Sequence, residues 1–544
     1  MSKQDSIEKL KEFLALNKDE IFNENQQQYS NKLISKKLRI DRIKSIMGWS
    51  LFITLGLAIA FGAALGPYFY FSSPKYQKTA SQSSIAGRVE HRPELSDSLC
   101  SAVIKENVQE VENLLKAGAN PNAQKEDVPV LVSALFTSQR LPLIKMLLQA
   151  GADPNVQYKG ISVLMLAAGS QNASWEIVQA LLEDKADPNA KIPAGTALMM
   201  AIDKGASLEV VQALIHSGAN VNEQNVNGDT PLMISLFKDD QAVTLGRAGI
   251  IRALLEAGAQ VNMQNKEGTT ALLVAISNNA PLEVVQLLLT AKADTNIKAK
   301  YGASTLMNAL AKHSSTKIVQ ALLSSGAEVN ERYWGGDTNL HLAVLYESPP
   351  EIFESLLQAG ADINAKNNFG QTVLRKAVEH ISTSHNHQQL LPKVIKVLLK
   401  AGANVNEVDK NGNSLLMRAI WPIPKDPEMI QSLLDAGANV NIKNQDGETA
   451  LMKAAFGHKT VVQSIIKAGA DVNARDKKGM TALMKAVIVY NYNDPSSTIQ
   501  VVKELLEAGA NPNAKAKDGM TLFSLSKGKK ELSALLAKYR SKKK

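Results

Sequence analysis

The chain of 544 residues is 45% hydrophobic, 5% aromatic and 21% charged, with a formal net charge of +9. That apolar fraction excludes wholesale disorder, and the single cysteine, Cys100, excludes a disulfide framework or a Cys-rich zinc module. The basicity lies at the ends, at +5 over residues 1–94 and +7 over 527–544 against −3 over 95–526, so no patterned basic face and no nucleic-acid partner is expected.

Residues 1–47 read as a short basic cytoplasmic tail. Within it, Ile7, Leu10 and Leu14 follow an Asp5/Glu8 capping pattern and predict one amphipathic helix. No charged residue occurs from Ser45 to Pro74, and the apolar run 48–71 predicts a transmembrane helix. At ~1.5 Å per residue this run exceeds the ~30 Å hydrocarbon layer. Trp49 at one end and Tyr68, Phe69, Tyr70 and Phe71 at the other suit interfacial belts. A buried core helix would show a polar face, and a cleaved signal peptide would not follow so long a polar stretch.

Lys36, Lys37, Arg39, Arg42 and Lys44 precede the span, whereas only Lys75 and Lys78 follow it closely. The positive-inside rule therefore places the N-terminus in the cytoplasm and everything after Phe71 on the extracytoplasmic side. The reverse topology, a cytoplasm-facing tethered adaptor or regulatory subunit of a membrane complex, is the second reading. Gly62 and Gly66 form a GxxxG pair, which either packs two membrane helices together as a weak self-association or reflects the abundance of small residues in such helices. Residues 72–94, rich in Ser, Gln and charge, read as a flexible linker.

From 95 to 526 the chain repeats itself. LLKAGANPN at 114–122 returns in variants such as LLQAGADPN, LIHSGANVN and IIKAGADVN, and last as LLEAGANPN at 505–513. The marker glycine or its replacement falls at 118, 151, 185, 218, 258, 292, 326, 360, 402, 437, 469 and 509. Most copies lead into a G-x-T-x-L phrase, as in Gly447 to Leu451. Its threonine is suited to cap a short apolar helix. A second helix follows, for example Val461 to Lys467 with Val462, Ile465 and Ile466 at helical spacing, and ends at an Ala-Gly that takes the left-handed conformation. One such pair cannot bury its own apolar face, so the copies are expected to stack into a continuous core.

The unit resembles the ankyrin repeat, whose period is 33 and whose signature contains T-P-L-H-x-A. The resemblance implies an all-α, elongated α-solenoid of about 12–13 repeats with hairpin fingers along one edge, and recognition of a protein partner through fingers and concave face. Segments 95–122 and 519–544 would be capping repeats, the latter with a basic tail. The signature histidine survives only at His341, with methionine at 165, 199, 233, 307, 417, 452 and 484. In the family that histidine bonds neighbouring turns, so those links should be missing from the methionine copies. Lys185 and Lys292 replace the helix-ending glycine, at about 1 kcal/mol each if the backbone stays left-handed.

Extra residues near Lys238–Gly249, Ile381–Gln389 and Val489–Ser497, with a proline-rich variant at Trp421–Pro427, fall between the two helices of a repeat. They are either tolerated loop growth or a second contact edge. His380, His385 and His387 lack i, i+4 spacing and have no Cys or carboxylate nearby in sequence except Glu379, so no metal is assigned. The fingers carry the better signal. Where Asp446, Asp518 and Asn411 precede the finger glycine elsewhere, three consecutive fingers bring aromatics: Tyr301, then Tyr333 and Trp334, then Phe369. Exposed in register, these four are candidate partner-binding tips; the alternative is that each ring packs on the next hairpin. No phosphate loop, H-E-x-x-H or G-x-S-x-G occurs, Arg418 stands where a calcium loop at Glu407–Gly412 would need a bidentate Glu, and Cys100 has no activating partner. No enzyme activity and no cofactor are expected.

Overall fold

The computed structural model describes residues 93–541, apart from 171–172, 238–246, 381–384, 421–426, 457 and 490–494. The tail 1–47, the span 48–71 with Gly62 and Gly66, and the linker to residue 92 lie outside the described residues. Among those described, no helix is long and apolar enough to cross a membrane.

Thirteen helix pairs follow one another among the described residues, from Ser96–Ile104 with Val108–Lys116 to Leu522–Leu525 with Lys530–Ser541. The first helix of a pair is short because its apolar run is short. Ala450–Ala454 buries Ala450, Leu451, Met452 and Ala454, and the Thr449 hydroxyl caps it by accepting from the Met452 N–H at 3.4 Å. Thr196, Thr230, Thr270, Thr372 and Thr481 make the same cap. Second helices such as Lys459–Lys467 turn Val461, Val462 and Ile465 inward. Packing joins helices of the same or adjacent pairs, for instance 163–168 on 197–204 and 175–183 on 208–216. The result is one apolar core running from Leu99 to Leu536, the nearest-neighbour architecture of an α-solenoid.

Second helices end in a left-handed residue. Gly360 has φ +89°, its N–H donates to Leu357 O at 3.0 Å, and the Ala361 N–H donates to Leu356 O at 3.0 Å. Lys185 and Lys292 keep that geometry, with φ +70° and +66°. Their side chains are therefore held where glycine is preferred, as the sequence implied.

The asparagine that closes each N-rich phrase does more than turn the chain. Asn330 donates from Nδ2 to Gly360 O at 2.9 Å and accepts from the Asp362 N–H at 2.8 Å, clamping the next repeat with both ends of its amide. The clamp recurs at Asn122, Asn155, Asn189, Asn222, Asn262, Asn296, Asn406, Asn441 and Asn473. Asn364, before the longest interval, keeps only the accepting half, from the Asn404 N–H at 3.2 Å.

His341 makes the inter-repeat bond that its rarity suggested, with Nε2 3.0 Å from Gln371 O. Methionines at the same position, such as Met165, Met417, Met452 and Met484, are buried apolar filler instead. The interhelical insertions are not wholly loop. Two of them lengthen the second helix, which runs His385–Lys400 across Pro392 in one repeat and Pro495–Glu507 in another. Cys100 is buried in the first pair, and burial raises its thiol pKa.

Candidate functional site: the finger ridge

Each finger is a tight turn before a capping threonine. Two early ones pair as two-residue antiparallel strands, 124–125 with 128–129 and 157–158 with 161–162. In most later fingers an Asn or Asp three residues before the glycine builds the turn. Asp409 accepts from the Asn411 and Asn413 N–H groups, both at 2.8 Å, and Asn225, Asn265, Asn367, Asn444 and Asp476 do the same. The glycine then crosses to positive φ. At Gly447 (φ +78°) a Cβ would also come within 2.9 Å of the Lys477 backbone nitrogen in the next finger. Fingers are thereby stitched in register, with the Lys477 N–H donating to Asp446 O at 2.8 Å and the Lys517 N–H to Lys478 O at 3.0 Å.

This register corrects the aromatic stripe. Gly336, not Gly335, is the equivalent of Gly370, because Thr338 and Thr372 are the matching caps. Tyr333 thus stands at the turn-building position, where Asn367 stands in the next finger, and its side chain points into the finger base rather than to the tip. Its hydroxyl donates to Glu331 Oε2 at 2.6 Å and lies 2.9 Å from Ser304 Oγ and 3.0 Å from Asn339 Oδ1. Burial, reinforced by the bond to Glu331, raises its pKa. Tyr333 is a structural residue. Tyr301 lies in the 3-10 turn Lys300–Gly302, and its side chain is outside the described part.

Trp334 and Phe369 do reach the surface, at 87% and 76% exposure. They are one register position apart. Phe369 leans over the bare backbone of Gly335, its Cε2 lying 3.4 Å from where a Cβ would be. Phe369 thus touches the preceding hairpin and yet stays open to solvent. A separate cleft between the second and third pairs, rimmed by Phe136, Arg140, Leu166 and Ser170, has a volume of about 230 Å³. That is below the ~300–1,000 Å³ of typical small-molecule sites.

A band of ion pairs lies under the later fingers, on the first helices. Lys376 meets Asp337 at 2.5 Å, Arg418 Nε donates to Asp409 at 2.8 Å, and Lys453 meets Glu448 at 2.5 Å. Lys485 pairs with Glu448 and, at 3.1 Å, with Asp476. Burial disfavours the Glu448 carboxylate, but the two lysines outweigh it and hold its pKa down at about 2. All four cations occupy one position, four residues after the cap, where the earlier repeats carry Leu166, Met200, Ile234 and Val274. The arrangement was readable by aligning the copies on the cap, but the carboxylate partners come from fingers and only the fold brings them together. Arg418, which spoils a calcium loop, neutralises Asp409.

An ankyrin-repeat family model of three copies matches residues 164–245, 240–333, 340–444 and 423–516, more than half of the chain. The chain belongs to the ankyrin-repeat family. No curated protein matches it at a significant level. Ankyrin-repeat proteins are generally scaffolds for protein–protein interaction rather than enzymes, and their partner is set by surface detail rather than by fold.

Proposed function

We propose that this ankyrin-repeat chain is a non-enzymatic scaffold that holds a partner protein against its finger ridge, tethered to a membrane through residues 48–71 with the repeats extracytoplasmic. The observation that carries the binding surface is the exposed pair Trp334 and Phe369 on adjoining fingers, in a chain with only 5% aromatic residues. The tether rests on the charge-free apolar run and its five-against-two basic flanks.

A photo-crosslinking residue placed at 334 or 369 should form a discrete adduct in intact cells, whereas one at Lys467 on a second helix should not. Equal labelling at all three, or none at the tips, would reject the surface. Topology is read separately by protease added to sealed membranes. Digestion of the repeats from the cytoplasmic face would replace the leading orientation with the cytoplasm-facing adaptor.

A further inference from the structure

The later fingers segregate charge in a way that the sum over 95–526 conceals. Four residues before the finger glycine stand Lys298, Arg332, Lys366, Lys443, Arg475 and Lys515, all exposed. Two residues before it stand Lys300, Lys410, Lys477 and Lys517, also exposed. Most carboxylates of the same fingers face the other way, although Asp446 and Asp518 at the tips are exposed. Glu331, Glu407, Asp409 and Asp476 are buried, and Asp337 and Glu448 are spent on the lysines of the first helices. Two rows of cations therefore run along the fingers; at the first finger Lys298 pairs with Glu331 and Lys300 with Glu267, and beyond it most of the carboxylates are turned inward.

The first row has a structural duty. Arg332 donates to Lys366 O at 2.8 Å, Lys443 to Arg475 O at 3.3 Å and Arg475 to Lys515 O at 2.8 Å, each side chain holding the next finger. Positive charge is not required for that duty. In the earlier fingers neutral glutamines do it, Gln224 donating to Gln264 O at 3.1 Å and Gln264 to Lys298 O at 3.3 Å. The cations of the later fingers call for a further reason.

We infer that the finger ridge from Lys298 to Lys517 is a docking track for an extended acidic polypeptide segment, anchored by an apolar residue on Trp334 and Phe369 and continuing with carboxylates toward Lys515. The inference rests on the finger ridge being the binding surface and names the chemistry of what it binds. Spacing favours a polypeptide. Adjacent repeats are ~10 Å apart and a polyproline II segment rises ~3.1 Å per residue with about three residues per turn, so carboxylates at every third position share one face and meet one finger after another. A single-stranded nucleic acid would want aromatic platforms interleaved with the cations, whereas the exposed rings sit together on two adjoining fingers.

The test uses the full-length chain in non-ionic detergent and a fluorescein-labelled synthetic peptide with one leucine followed by Glu at every third position. Controls are the same composition with the Glu residues in one block, and a labelled oligothymidylate. Anisotropy should show the spaced peptide binding more tightly than either control, with affinity falling steeply as salt rises. Arg332→Gln, Lys443→Gln and Arg475→Gln together keep the finger clamp, so the urea midpoint should hold while affinity falls roughly tenfold. Lys317→Gln, Lys400→Gln and Lys467→Gln on second helices should leave affinity unchanged. If the triple variant loses stability, Lys300→Gln with Lys517→Gln in the second row reads the same loss. Equal affinity of the two triple variants, no binding of the spaced peptide, or tighter binding of the oligonucleotide overturns the inference. Photo-adducts at 334 and 369 would survive that outcome and keep the ridge as a surface for a partner of other chemistry.

Discussion

Replacing Asn330 with alanine removes two bonds that join one repeat to the next, Nδ2 to Gly360 O at 2.9 Å and the Asp362 N–H to Oδ1 at 2.8 Å. Each is worth about 0.5–1.5 kcal/mol net, and water replaces part of it at this exposed edge, so the loss should be about 1–2 kcal/mol. Asn364 supplies an internal control. It makes one such bond, at 3.2 Å, and its alanine variant should lose about 0.5 kcal/mol. Asn330→Asp keeps the acceptor but turns a carboxylate toward the Gly360 carbonyl, so it should cost at least as much as losing the donor alone. A stack of repeats need not unfold in one step, so the measurement is hydrogen exchange resolved by peptide rather than a single melting curve. In Asn330→Ala, amides around 356–362 should exchange about 5–30 times faster than in the parent, with distant repeats unaffected. The Asn364 variant should change its own neighbours less than fivefold, by the same scale. Equal acceleration in the two variants, or none in either, would refute the idea that the asparagine clamp carries repeat-to-repeat coupling.

Lys185→Gly and Lys292→Gly relieve a left-handed penalty of about 1–2 kcal/mol and restore about 0.4–1 kcal/mol of unfolded-chain entropy, so each should slow local exchange by a net ~0.5–1 kcal/mol, while Lys185→Ala should not. Thr305 buries a hydroxyl with no hydrogen-bond partner at a position where other repeats carry Val163 and Val373, and Thr305→Val should slow local hydrogen exchange by the equivalent of about 1 kcal/mol. His341 is held neutral, because burial lowers its pKa and because the Thr338 N–H donates to Nδ1 while Nε2 donates to Gln371 O. Its contribution is complete above the unfolded value near 6.5 and is lost as pH falls below that value toward the lower folded pKa, so the parent should weaken below pH 6.5 more than His341→Met does. Glu448 has a depressed pKa, so its contribution is complete above about 4.5 and disappears as pH falls toward about 2; Glu448→Gln should flatten the urea-midpoint profile over that window.

The repeating unit was legible from residues alone because everything that makes it is local. The threonine caps its own helix, the glycine ends its own helix, and the spacing of Val462 and Ile465 aims them at one side. The same locality explains why Lys185 and Lys292 could be recognised in advance as strained. Other readings turned on one residue of register or on a partner some thirty residues away. Tyr333 looked like a finger tip because it neighbours Trp334, yet it occupies the Asn367-equivalent position, which points into the base. Asn330 looked like a turn residue, and only stacking brings Gly360 and Asp362 to its two ends. The net charge of −3 over 95–526 argued against a basic face. A sum cannot tell that Glu331, Glu407, Asp409 and Asp476 are buried while Lys366, Lys410, Lys477 and Lys515 are exposed. Sequence by itself determined the unit, its number of copies and its helix ends, since backbone preference and burial are set within one period. Tertiary structure decided which way the finger side chains face, because that depends on the neighbouring repeat against which each finger is laid.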